Sequence, residues 1–348
     1  MERVRRLTGD RIPERHALSE PLTPDQVRSW GRFAETSPLY AHLIEVIASD
    51  DELMRVSGQI EHTPQPNLLF AGVQYLMARH GGGDLERHYP NFGGSKGVAG
   101  VDAPFRDFVL AHEDELVDIG RTRYTQTNEC RRCVALLPAI WLTRLDRFNL
   151  VDLGASAGLN LHLDRYHYSW DGLEWGPKSE VRLETESRGV PVVPRDIEVA
   201  TRTGLDLNPI DPTDADARLW LDSLIWPEHH DRRRRLRAAL MIAAREPVRS
   251  VAGNALETLG PTLSALPRGE PVVLMHAFAL NQVAEEGRGQ IDEIIDRGRE
   301  TRDIHRVAFE SMGSWDGNAL IVIDDGSGPV EVGRAQPHGE WVELYARP

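Results

Sequence analysis

The stretch that most constrains this chain is Phe148-Asn-Leu-Val-Asp-Leu-Gly-Ala-Ser-Ala-Gly-Leu-Asn-Leu161. Its apolar run, Leu150, Val151 and Leu153, is broken by one acid, Asp152. Gly154 and Gly158 follow, with two alanines and Ser156 between them, and Leu159 to Tyr166 reads as helix. Strand, tight glycine turn and helix in that order suit an open parallel α/β sheet, in which such a turn sits at the carboxyl end of a strand, where ligands bind. Gly154 permits the sharp turn, and Gly158 permits close approach of helix, strand or ligand. The helix start is expected to offer N–H groups and a positive dipole end. The same letters also spell Gly154-x-Ser156-x-Gly158, the pattern of a nucleophile elbow. The stretch alone leaves both chemistries open.

With 348 residues the chain has room for two domains. Its net charge of −14 disfavours nonspecific attachment to nucleic-acid phosphates. The opening Met-Glu-Arg-Val-Arg-Arg is not followed by an apolar segment, so no signal peptide is expected. No apolar run reaches membrane-spanning length, and two cysteines do not make a disulfide framework. The expectation is a cytoplasmic protein that works on a small molecule, without nucleic acid or membrane as partner.

Residues 1–20 are charged and aperiodic and read as a lead-in. Thr23-Pro24 with Gln26 predicts a capping-box helix start, and Ser37-Pro38 repeats the device. Helical periodicity recurs at Leu39, Leu43, Val46 and Ile47, at Leu68 to Met77, and at Phe105 to Ile119. Residues 1–125 therefore read as an all-helical domain and 126–348 as an α/β domain. A helix from about Thr127 to Leu145 precedes the strand at Leu150 and runs antiparallel to it. Its start, Gln126-Thr-Asn128-Glu129, is then expected beside the glycine turn, as ligand contacts or as an ordinary cap. Short strands are expected at 181–185 and 197–200, ahead of Thr203-Gly-Leu-Asp206-Leu-Asn-Pro209. Further strands are expected at 248–253, 272–278, 305–311, 319–324 and 341–345, with helices between them. Strand alternating with helix argues for a parallel sheet.

These pieces in this order resemble class I S-adenosylmethionine-dependent methyltransferases. Val151-Asp-Leu-Gly154-x-x-x-Gly158 is similar to their first motif, Gly204-Leu-Asp206-Leu-Asn-Pro209 to the end of their second strand, and Val251-Ala-Gly-Asn254-Ala to the end of their third. Val272–Phe278 is similar to their fourth strand, whose end faces the reacting methyl. The resemblance implies a Rossmann-like sheet over about residues 127–348, with S-adenosylmethionine as cofactor. Asp206 would hold the ribose hydroxyls, and Asn254 would reach the adenine. Gln126-Thr-Asn-Glu129, Gly154 to Asn160, Asp206 to Pro209 and Leu224-Ile-Trp-Pro227 also resemble a bacterial family known as a domain of unknown function.

The cofactor candidates are thus Asp152, Gly154, Ser156, Gly158, Asp206, Asn254, Gln126 and Asn128, with His276 as a general base or a satisfied core histidine. A serine hydrolase would instead need Ser156 with Asp324 or Asp325 and His338. A noncatalytic nucleotide or sulfonium sensor is a third class. Cys130-x-x-Cys133 has no second ligand pair and no metal is expected. Arg232–Arg235 and Arg237 read as a solvated helix face. Tyr166, Tyr168 and Trp170 read as core.

Overall fold

The structure is a computed structural model that describes residues 22–62, 65–311 and 318–345. The lead-in expected over residues 1–20 lies outside the described residues. The chain is α/β and divides into two compact units. One holds Asn128–Thr213 and the chain from Ala238 onward, and the other holds the described chain up to Thr127 together with Asp214–Arg237.

The second unit is built of helices among its described residues. Thr23 and Gln26 form the capping box of helix Pro24–Ser29, and Ser37 caps Pro38–Ser49 by accepting from the Tyr40 N–H. The periodic run from Phe105 to Ile119 is two helices, Asp102–Ala111 and Glu113–Thr122, broken at His112. The segment 214–237 joins this unit through buried polar groups. Gln74 Nε2 donates to the carbonyls of Ser223 and Ile225, and Ser37 Oγ donates to Glu228 at 2.6 Å. Arg233 is buried and donates to Asp222, Gln74 and the Ile225 carbonyl. The expectation of a solvated face therefore fails at Arg233, whose guanidinium is a core element, while Arg234 stays outside on Asp231.

Among its described residues the first unit carries one sheet of eleven strands. They are β1 (Arg147–Leu153), β2 (His167–Trp170), β3 (Leu173–Trp175), β4 (Arg182–Gly189), β5 (Glu198–Asp206), β6 (Arg249–Ala252), β7 (Val272–Ala277), β8 (Ile304–Glu310), β9 (Ala319–Asp324), β10 (Val330–Ala335) and β11 (Trp341–Leu344). Their order across the sheet is β3-β2-β4-β11-β10-β9-β8-β7-β1-β5-β6. The five strands β6-β5-β1-β7-β8 are mutually parallel. From β8 the chain runs as an antiparallel meander through β9, β10 and β11.

Every residue of β7 is buried, which is why Val272 to Met275 read as an unbroken apolar run. In β1, Val151 and Leu153 face a core with Leu259, Leu263, Ile291 and Ile295, supplied by helices Ala255–Ala265 and Glu285–Arg299. Alternation puts Leu150 and Asp152 on the opposite face. The helix Cys133–Leu142 packs against β4, β8, β9 and β10.

The structure corrects several expectations. The helix before β1 starts at Cys133 after a 3-10 turn, Cys130–Arg132, and residues 123–129 carry no regular structure. Residues 159–165 form a 3-10 segment kinked at His162, not an α-helix. The pieces expected at 197–200 and 203–206 are one strand, β5. Strands β2, β3 and β10 were not expected. Tyr166, Tyr168 and Trp170 are core, with their polar tips donating to the carbonyls of Leu159, Leu163 and Val134.

Candidate functional site

The carboxyl ends of β1, β5, β6 and β7 bring Gly154, Asp206, Asn254 and His276 to one edge of the sheet. Between β1 and β7 the strand order reverses, the place where open α/β sheets leave a crevice. Two of the four non-glycine residues with positive φ among the described residues lie there, while Arg144 and Asp171 lie elsewhere. Ser156 has φ +49° and Phe278 φ +56°, and they follow β1 and β7 respectively. A bulky residue in that region is held only by its surroundings and marks functional edges more often than ordinary turns.

The glycine turn is closed by its own hydrogen bonds. The N–H groups of Gly154 and Ala155 both donate to the Leu205 carbonyl, at 2.8 and 3.1 Å. Ser156 N–H donates to Asp206 Oδ2 at 2.8 Å, Ala157 N–H to Asn128 Oδ1 at 3.2 Å, and Gly158 N–H to the Ala155 carbonyl at 2.7 Å. Asn128 Nδ2 donates to Ser156 Oγ at 2.9 Å. The N–H groups expected to cradle a ligand are therefore occupied, and no α-helix starts behind them.

Asp206 also accepts from the Asn208 N–H at 2.8 Å, an Asx-turn ahead of Pro209. The next residue, Leu207, is 52% exposed, whereas Leu205 is buried. Asn254 is exposed and caps helix Ala255–Ala265 through Oδ1, which accepts from Leu256 N–H at 3.0 Å. Asp152 is 1% exposed, and its Oδ2 is buried without a hydrogen-bond partner in the protein. Burial, reinforced by the Asp206 charge, pushes its carboxyl well above the ordinary carboxylate range, against Arg132 and an Asn160 hydrogen bond. Burial likewise raises the Cys133 thiol.

His276 is placed as a buried, hydrogen-bonded histidine. It is 1% exposed and both ring nitrogens are engaged. Arg306 Nε donates to Nε2 at 2.9 Å, so the ring proton sits on Nδ1 and is donated to Glu310 at 2.7 Å. Glu310 also accepts from the N–H groups of Ala279, Leu280 and Asn281, so it anchors the loop after β7. Burial works to raise its carboxyl, but the His276 hydrogen bond and those N–H groups bring it below the ordinary range.

A serine hydrolase would pair Ser156 with a base. Ser156 Oγ meets an amide where a base is required. The antiparallel course of β9 carries Asp324 level with Arg306, toward the amino end of the parallel strands and away from Ser156. Its carboxylate is engaged by Gly326, Gly328 and Arg299, and that of Asp325 by Ser327. Gln126 lies in the segment without regular structure and falls in the helical unit. Gly154 and Gly158 have φ +78° and +72°, as a turn of this kind needs.

Four residues were missed from sequence. Arg132 Nη1 donates to the Ala277 carbonyl, and its guanidinium lies 4.3 Å from the Phe278 ring centroid. Asn281 Oδ1, in the loop after β7, is buried without a partner. Glu310 ends the last parallel strand, and an acid in that place was the available signal. Leu207 follows the strand β5, and its exposure was not expected.

The family model described as "Uncharacterized protein conserved in bacteria (DUF2332)" matches residues 25–344. The chain belongs to that family. The match runs through both units and includes the glycine turn, Asp206 and the loop after β7. No curated protein and no solved structure matches the chain.

Proposed function

We propose that the chain transfers a methyl group from S-adenosylmethionine to a small molecule, on a Rossmann-like sheet with a helical unit beside it in the sequence. The strand order β6-β5-β1-β7-β8 is 3-2-1-4-5 of a doubly wound sheet, which supports the fold part of the reading. One observation carries the ligand part. The glycine turn has its N–H groups occupied, while the buried Asp152 beside it has an oxygen with no partner. A dinucleotide brings a pyrophosphate that needs those N–H groups. A nucleoside with a cationic tail needs none of them and supplies a donor for the Asp152 oxygen that lacks one, with a positive charge that favours the ionised carboxyl.

The residues fit that group. Asp206 has acceptor capacity beyond its two backbone bonds for ribose hydroxyls. Leu207 offers an exposed apolar face for a base. The Asn254 amide stands at the next strand end as a polar contact for the base edge. Asp152 would hold the ammonium. When bound, S-adenosylmethionine supplies an electrophilic methyl on a cationic sulfur. The chain's contribution is alignment, with the loop after β7 fixed by Glu310 and the Asn281 carbonyl oxygen as an acceptor for a substrate donor group.

Leu207 gives the cleanest test, because it is exposed and holds no other element. Leu207→Ser is expected to leave the melting temperature within a degree or two. It is expected to weaken S-adenosylhomocysteine binding by about tenfold, as lost burial of a leucine implies. Calorimetry on both proteins reads this. Unchanged affinity in the variant would move the ligand off this edge of the sheet.

A further inference from the structure

Asp152 stands in the sheet between Gly204 of β5 and Met275 of β7, so its strand neighbours offer it neither a hydrogen-bond donor nor a charge. It is 1% exposed, and Oδ2 has no hydrogen-bond partner among the described residues. An ionised carboxylate accepts at both oxygens and donates at neither. Burying one that is short of donors is costly, and a group in that position gives up its charge instead.

The groups that face it come from four other elements. Asp206 ends β5 and Glu310 ends β8, and both carboxylates oppose a third negative charge. The Cys133 thiol, at the start of helix Cys133–Leu142, is close enough to feel the Asp152 charge. Arg132 of the 3-10 segment Cys130–Arg132 supplies the opposing positive charge, and Asn160, after the glycine turn, hydrogen-bonds the carboxyl. That guanidinium is shared, since Nε donates to the Pro337 carbonyl and Nη1 to the Ala277 carbonyl, both at 3.2 Å. Burial and the two acids outweigh Arg132 and Asn160, which is why the carboxyl is lifted above its ordinary range.

We propose that Asp152 is a neutral carboxyl in the unliganded chain and is ionised by the ammonium of the bound nucleoside, so that binding releases a proton and selects ligands that carry an ammonium. This rests on the reading of the ligand as S-adenosylmethionine. The carboxyl O–H bond breaks, its electron pair stays on Asp152 and the proton goes to solvent. The ammonium keeps its own protons and donates one N–H to Oδ2, the oxygen without a partner. A cation thus takes the place of a proton. The sign follows from linkage. Below the titration midpoint of the unliganded carboxyl, each pH unit downward weakens the ammonium ligand about tenfold, and above it the affinity is level.

The test needs no substrate. Calorimetry at about pH 7 in phosphate and in Tris, whose heats of ionisation differ, counts the protons released on binding. The probes are S-adenosylhomocysteine, which carries the ammonium, and 5′-methylthioadenosine, the same nucleoside thioether without the amino-acid tail. The expected count in wild type is about one proton per S-adenosylhomocysteine and none for 5′-methylthioadenosine. Asp152→Asn keeps the shape and removes the titration. In that variant the release is expected to vanish and S-adenosylhomocysteine to bind about tenfold more weakly, while 5′-methylthioadenosine binds as it does to wild type. The wild-type count decides the matter by itself if the variant does not fold. A count below about half a proton with S-adenosylhomocysteine bound, or equal counts with the two nucleosides, would overturn the role of Asp152 and leave the methyl-transfer reading standing. Failure of both nucleosides to bind folded wild-type protein would overturn the two together.

Discussion

His162 is fully buried at the kink of the 3-10 segment, and neither ring nitrogen has a hydrogen-bond partner. Burial, helped by the Arg202 charge, lowers its pKa from 6.5 to about 4. Between those values the unfolded chain takes up a proton that the folded chain refuses. The stability this ring contributes is complete above pH 6.5 and drains away as pH falls toward about 4. A shift of this size corresponds to about 3 kcal/mol. His162→Asn removes the titration, so the stability of wild type relative to the variant is expected to fall by about 3 kcal/mol between pH 7 and pH 4 in urea unfolding. A difference that does not vary with pH would show that the ring is solvated. At this scale the sequence was legible where a residue's neighbours are local. The Asx-turn of Asp206 and the caps at Thr23 and Ser37 follow from adjacent letters. The role of His276 does not, because Arg306 and Glu310 come from a strand some thirty residues later, and only the parallel register of β7 and β8 brings them in.

The glycine turn works as an element because β5 lies close against it. A Cβ on Gly204 would stand 2.7 Å from Ala155 Cβ and 3.3 Å from Leu161 Cδ1. Gly204→Ala is therefore expected to displace the turn, at a cost of about 1–3 kcal/mol, and to loosen the Asp206 hold on Ser156. Gly31→Ala meets no atom within 4 Å and serves as the control. A neutral Gly204→Ala would mean that the turn shifts without strain. Strands β1, β7 and β9 were legible from their apolar runs. Strands β2 and β3 were not, although His167-Tyr-Ser-Trp170 and Leu173-Glu-Trp175 alternate, because runs of four and three residues are too short to stand out as a period. The turn's occupied N–H groups were hidden as well, because they depend on Asn128 and Asp206, each distant in sequence.

At the scale of the molecule, the order of elements, helices before β1 and strands alternating with helices after it, was legible from the change of period near residue 145. The return of Asp214–Arg237 to the helical unit was not, because helical periodicity tells which face is apolar and not what it meets. That return has a consequence. Residues 1–127 alone lack the Ser223 and Ile225 carbonyls that hold Gln74 and the Glu228 carboxylate that holds Ser37. The fragment is expected to melt without cooperativity, and addition of a peptide spanning 214–237 is expected to restore a cooperative transition in circular dichroism. Cooperative melting of the fragment alone would show that the helical unit is complete without it. The central claim concerns the crevice itself, a glycine turn closed to phosphates beside a buried carboxyl group, Asp152, whose Oδ2 lacks a hydrogen-bond partner. Calorimetry of the whole chain against S-adenosylmethionine, S-adenosylhomocysteine and NADH tests it most directly. The account predicts binding of the first two in the micromolar range, about −8 kcal/mol, and no heat with NADH. Heat with NADH alone, or with none of the three on folded protein, would contradict it.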